Sequence, residues 1–139
     1  MTAAAPVAVS NDLEANFYKF TGGMFSFFAM GMLIGQNRMF GPSALSPLLQ
    51  YWTKNNDSPV TEWFARFFGI AMLVFYSGPK FFGASMGPFL KQSMMFNTLG
   101  MANMAHVYFT APDDCTQMWV PQIILQAAIC MVNYHLVTK

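Results

Sequence analysis

Charge is what this sequence lacks most. Its 139 residues carry seven Lys or Arg and six Asp or Glu, where a soluble domain of that length at about 25% charge would hold roughly 35. That deficit excludes an ordinary solvated surface. The net charge of +1 supplies no basic field for nucleic acid and no acidic tail, so a nucleic-acid partner is excluded. Catalytic signatures are missing too. There is no GxSxG, P-loop, GxGxxG or CxxC element, and Asp113-Asp114 stands beside Pro112 without a phosphate-binding partner. The chain reads as a non-enzyme. What is abundant is apolar: 55% hydrophobic and 17% aromatic residues, with 15 Phe and 13 Met.

The few charges are spaced to leave long gaps. Lys19 to Arg38 encloses 18 uncharged residues, Arg66 to Lys80 encloses 13, Lys91 to Asp113 encloses 21 and Asp114 to Lys139 encloses 24. A hydrocarbon core about 30 Å thick needs roughly 20 residues of helix at about 1.5 Å each. The spacing therefore predicts an all-α membrane protein with four transmembrane helices near 16–36, 62–82, 89–110 and 117–137. In the second, Glu62, Arg66 and Lys80 would lie at headgroup level. The segment from Gly41 to Asp57, broken by Pro42 and Pro47, is too polar to span, and Leu48 to Trp52 predicts a short interfacial helix between the first and second spans. Residues 1–10 read as a flexible tail without the regions of a signal peptide, and 11–139 as one domain.

Local signals mark the helix ends. Asn11 with Glu14, and Asp114 with Gln117, fit a polar N-cap with a reciprocal acceptor three residues on. Ser58-Pro59 fits a cap followed by proline at the first helical position. Pro121 falls inside the expected fourth helix and predicts a kink. Four spans place both termini on one side, which sums to +2 against −1 opposite. The positive-inside tendency then puts the termini on the cytoplasmic, stromal or matrix side. A segment from Arg38 to Leu49 also resembles Lys80 to Leu90 at an offset of 42 residues. Each copy reads as a helix exit with a cation, a turning glycine and a proline that opens the next helix.

Candidate ligands are sparse. His106 and His135 should differ in depth by roughly 20 Å at helical rise, which disfavours a haem shared between them. No carboxylate accompanies them inside the spans, so neither haem nor a structural metal is expected. Each remains an interfacial hydrogen-bonding group or a single axial ligand to a chlorophyll magnesium. Cys115 and Cys130, about 22 Å apart along one helix, cannot form a disulfide. The third span carries Ser93, Asn97, Gly100 and Met104, and the fourth Gln122, Gln126, Cys130 and Asn133, at helical spacing. Unmet amides are costly in lipid, so the two stripes should face each other or a neighbouring subunit. Gly22-Gly23, Gly31 and Gly35 predict close helix contact along the first span.

Glu62-Trp63-Phe64-Ala65-Arg66, followed by Ala71-Met72, resembles the helix of light-harvesting chlorophyll proteins, in which a Glu ligates chlorophyll and pairs with an Arg before an Ala-Met step. That family spaces Glu and Arg five apart and repeats the motif, and this chain does neither. Membership is rejected, while Glu62 stays a candidate pigment ligand beside an i, i+4 ion pair. In overall style the chain resembles small multi-span accessory subunits of algal organellar complexes. That resemblance implies a non-catalytic subunit packed among other subunits and lipids of an energy-converting complex. A photosystem with its antenna in the thylakoid comes first and a mitochondrial respiratory or ATP synthase complex second. Faces rich in Phe and Met suit chlorophyll rings and carotenoids, with His106, His135, Glu62 and Asn97 as candidate chlorophyll ligands. Arg66-Phe67-Phe68-Gly69 and the proline elbows also resemble DoxX-like four-span proteins over about a third of the chain, which implies a small transporter or membrane enzyme instead.

Overall fold

The computed structural model describes residues 9–40 and 58–139. Four α-helices run through them: α1 over Val9–Met39, α2 over Pro59–Phe81, α3 over Met86–Thr110 and α4 over Trp119–Thr138. A 3₁₀ turn at Pro112–Asp114 stands between the last two. Among the described residues the protein is all-helical, and each apolar stretch between charges lies in a helix. The expected tail, apart from Val9 and Ser10, and the expected interfacial helix at Leu48–Trp52 lie outside the described residues.

Two helices, over Asp12–Gly35 and Trp119–Thr138, are long and apolar enough to cross a membrane. That is two where four were expected. The other two are long enough, at 23 and 25 residues, but hold no stretch as uniformly apolar and uncharged as those two. In α2, Glu62 and Arg66 occupy the first two turns and Lys80 the last, and in α3 the serine and amide stripe dilutes the hydrophobic content.

The helix ends show which local signals prevail. Ser58 caps α2 as expected: its hydroxyl accepts from the Val60 amide at 3.3 Å, with Pro59 at the first helical position. At the other end, Gly83 adopts a left-handed φ of 65°, and the Ala84 N–H returns to the Gly78 carbonyl at 3.2 Å. A side chain at position 83 would be strained there. The Asn11 cap does not mark a start, because α1 begins two residues earlier at Val9. Nor does Asp114 cap α4. It belongs to the 3₁₀ turn opened by Pro112, and the chain passes through extended Cys115 before α4 starts at Trp119. Pro121 therefore falls in the first turn, where the missing N–H has no helical partner to lose, and the reason for a kink there disappears. The break occurs in α1 instead, at Gly35 with φ 145° and ψ 111°.

Helices α1 and α2 form one antiparallel hairpin and α3 and α4 a second, and the hairpins meet along a narrower line. Close approach in the first hairpin comes from Gly69 of α2. A Cβ built there would lie 2.8 Å from the Ala29 carbonyl oxygen and 3.1 Å from the Met32 Cβ. The glycine pair of α1 does not serve this purpose: Gly23 faces open space, and Gly22 meets only Tyr18 of its own helix. Between the hairpins lies an aromatic core. Tyr76 stacks on Phe25 at 4.6 Å between centroids and meets Phe89 and Phe96 edge-on. Phe75 stacks on Phe89 and Phe96, and the Tyr18 hydroxyl donates to the Tyr76 carbonyl at 2.9 Å.

Candidate functional site

The most connected polar feature is a seam inside the second hairpin. Ser93 and Asn97 lie one turn apart on α3, so their side chains share a face. On α4, Gln126 and Asn133 share the face that meets them. The amide of Gln126 donates to both the side-chain oxygen of Asn97, at 3.0 Å, and its main-chain carbonyl, at 3.1 Å. The Asn97 amide donates to Ser93 Oγ at 3.1 Å. Asn133 and Ser93 Oγ are also 3.1 Å apart. The carboxamide orientation that satisfies both ends of Asn133 lets its oxygen accept from Ser93 Oγ and from the Met94 N–H, while its nitrogen donates to the Leu90 carbonyl at 3.1 Å.

The result is a directional chain, Gln126 to Asn97 to Ser93 to Asn133 to the α3 backbone. Ser93, Asn97 and Asn133 are wholly buried. Thus the two stripes face each other, the first of the two arrangements their spacing allowed. Every group in the seam is a neutral amide or hydroxyl, so the seam can join helices but has no ionisable group to transfer a proton.

Tyr76 from the other hairpin approaches this seam. Its hydroxyl is buried with Ser93 and Asn97 as polar neighbours, yet it has no partner at hydrogen-bonding geometry. One hydrogen of the Asn97 amide and the hydrogen of the Ser93 hydroxyl are already directed along the chain just described. Sequence reading missed this tyrosine, because nothing local distinguishes it from the other aromatic residues of α2.

The four candidate ligands do not converge. Asn97 is spent within the seam, its oxygen accepting from Gln126 and its nitrogen donating to Ser93. His106 and His135 are both exposed. The antiparallel pairing of Ser93 with Asn133 and Asn97 with Gln126 separates the two histidines by roughly 20 Å or more along the hairpin at helical rise. Glu62 accepts from Arg66 at 2.6 Å in an i, i+4 pair whose side chains are half exposed. Trp63 stacks on Phe67 beside this pair at 5.8 Å. Among the described residues no group of three His, Cys, Asp or Glu side chains comes together. Neither Cys115 nor Cys130 is joined in a disulfide among the described residues. Cys130 shares a groove of about 410 Å³ with Met94, Thr98, Met131 and Tyr134.

Comparison with known proteins adds no relative: no family model, no curated protein and no solved structure matches this chain. Functional inference therefore rests on the residues themselves.

Proposed function

We propose that this chain is a non-catalytic integral membrane subunit that crosses the bilayer four times and packs into a large energy-converting complex. The first assignment is an algal photosystem with its light-harvesting antenna, in the thylakoid membrane with both termini on the stromal side.

The observation that carries this reading is an inverted distribution of polarity. Ser93, Asn97 and Asn133 of the seam are buried, while Trp63, Phe64 and Phe67 of α2, Met95 and Leu99 of α3 and Ile124 and Met131 of α4 are each about 60% exposed or more. Of the two helices long and apolar enough to cross a membrane, only 33% of the α1 span and 22% of the α4 span is buried within the chain. The core helix of a water-soluble protein would hide most of such a span. At about 25 cal/mol per Å² of apolar surface, leaving these faces in water would forfeit much of what folding gains. Lipid, pigment or neighbouring subunits remove that cost. The absence of ionisable groups from the seam supports a packing role over transport.

Exposed His106 and His135 and half-exposed Glu62, through the carboxylate oxygen that Arg66 leaves, are candidate ligands to a chlorophyll magnesium, and the outward Phe and Met faces suit chlorophyll and carotenoid. The test is native electrophoresis of gently solubilised membranes. Co-migration with a large pigmented complex is the expected result. Co-migration with a colourless respiratory or ATP synthase complex would move the assignment to the mitochondrial inner membrane. A colourless monomer that moves a solute into liposomes would overturn the subunit reading.

A further inference from the structure

The two hairpins are each locked inside and joined to one another by a smoother contact. In the first, Gly69 seats α2 against the Ala29 carbonyl of α1. In the second, the seam ties α3 to α4 through four side chains. The Tyr18–Tyr76 bond and the seam bonds each stay within one hairpin. What holds α2 to α3 is ring faces. Phe75 lies on Phe89 at 5.3 Å and 29° and on Phe96 at 5.6 Å and 25°, and Phe68 lies on Phe96 at 6.0 Å and 15°. Offset stacks keep their contact when one ring slides across the other. The connection divides in the same way. The N–H groups of Phe82 and Ala84 donate to the Gly78 carbonyl on the α2 side, and the Ser85 carbonyl accepts from Phe89 on the α3 side. The joint therefore falls between Ala84 and Ser85, beside Gly83, where a Cβ would meet nothing within 4 Å.

On this sliding contact stands the Tyr76 hydroxyl, buried and without a partner. Its neighbour Ser93 Oγ accepts from Asn97 and donates to Asn133, which leaves one lone pair unused. We propose that the hairpin contact has two arrangements: the one described, and a less populated one in which α2 has slid along α3 by about 1–2 Å and the Tyr76 hydroxyl donates to Ser93 Oγ. The first keeps the ring stacks and strands the hydroxyl; the second satisfies the hydroxyl and gives up part of the stacking. Because α1 moves with α2, the slide also reshapes the groove of about 280 Å³ that Leu13, Phe17 and Phe20 of α1 form with Leu125, Ile129 and Val132 of α4. The motion belongs to the chain itself, whichever complex surrounds it.

The test is fluorine NMR relaxation dispersion on the full chain in lipid nanodiscs, with para-fluorophenylalanine placed at position 68 alone. A para fluorine lies on the ring-flip axis, so it reports the travel of this ring over Phe96 and not its flipping. Exchange on the microsecond-to-millisecond scale is expected in the otherwise native chain. It should be lost in Tyr76→Phe, which keeps every ring and the whole seam and removes the hydroxyl alone. Ser93→Ala, which removes the acceptor, should lose it too. A flat profile in the native chain at every temperature would overturn the proposal, as would exchange that persists in Tyr76→Phe or in a folded Ser93→Ala chain.

Discussion

Gly69→Ala tests the packing of the first hairpin with one methyl group. Ala is the better helix former, and in an open helix interior the exchange stabilises by about 0.5–1 kcal/mol. At position 69 the new Cβ would sit 2.8 Å from the Ala29 carbonyl oxygen and 3.1 Å from the Met32 Cβ. The nearer atom is backbone and cannot rotate away, so α2 must move off α1. Overpacking of this kind costs about 1–3 kcal/mol. The expected net effect is a loss of about 1–2 kcal/mol once the helical gain is deducted. Gly23→Ala is the matched control, since nothing lies within 4 Å of a Cβ there, and it should gain about 0.5–1 kcal/mol. Reversible unfolding in mixed detergent micelles, followed by circular dichroism, measures both. If Gly69→Ala were as stable as Gly23→Ala, the close contact between α1 and α2 would be refuted.

Other substitutions probe the seam and its surroundings by the same assay. Asn97→Leu removes one of the two acceptors of the half-buried Gln126 amide and the donor to the buried Ser93 oxygen, so it should cost about 1–3 kcal/mol, and a loss under about 0.5 kcal/mol would contradict the seam. Tyr76→Phe removes a buried hydroxyl that lacks a properly aligned partner. It should therefore be neutral or stabilising by up to about 1 kcal/mol, and a clear loss would mean that the hydroxyl bonds to Ser93 or Asn97. Glu62→Gln breaks a half-exposed intrahelical ion pair and should shift stability by no more than about 0.5 kcal/mol, with the difference shrinking in high salt. A larger, salt-insensitive loss would place Glu62 in a contact beyond Arg66.

How much was legible in the sequence depended on the range of each interaction. The four helices follow from apolar runs between charges, and the Ser58-Pro59 start from a signal two residues long. The facing stripes of α3 and α4 were readable because amides four residues apart share a helix face and cannot stay unmet. Tertiary register was not readable. Nothing local says that Gly69, and not Gly23, meets the other helix, or that the Tyr76 ring lies on Phe25 with its hydroxyl beside Ser93. The capping patterns at Asn11 and Asp114 failed because two polar residues permit a helix start without requiring one. Chain before Asn11 can continue the helix, and Pro112 takes the second Asp into a 3₁₀ turn. Asn97, chosen as a candidate ligand from its type, is committed by a partner 29 residues away, a distance at which spacing carries no information.

The central claim is that all four helices cross the membrane, and the side of the α2–α3 connection tests it most directly. Single cysteines at Ser85, Gln117 and Lys139, in a background with Cys115 and Cys130 replaced by alanine, can be labelled in sealed vesicles with a membrane-impermeant maleimide. Four crossings place position 85 on the same side as position 139 and position 117 on the opposite side. If α1 and α4 alone crossed, position 85 would instead label together with position 117, and the four-span account would be wrong.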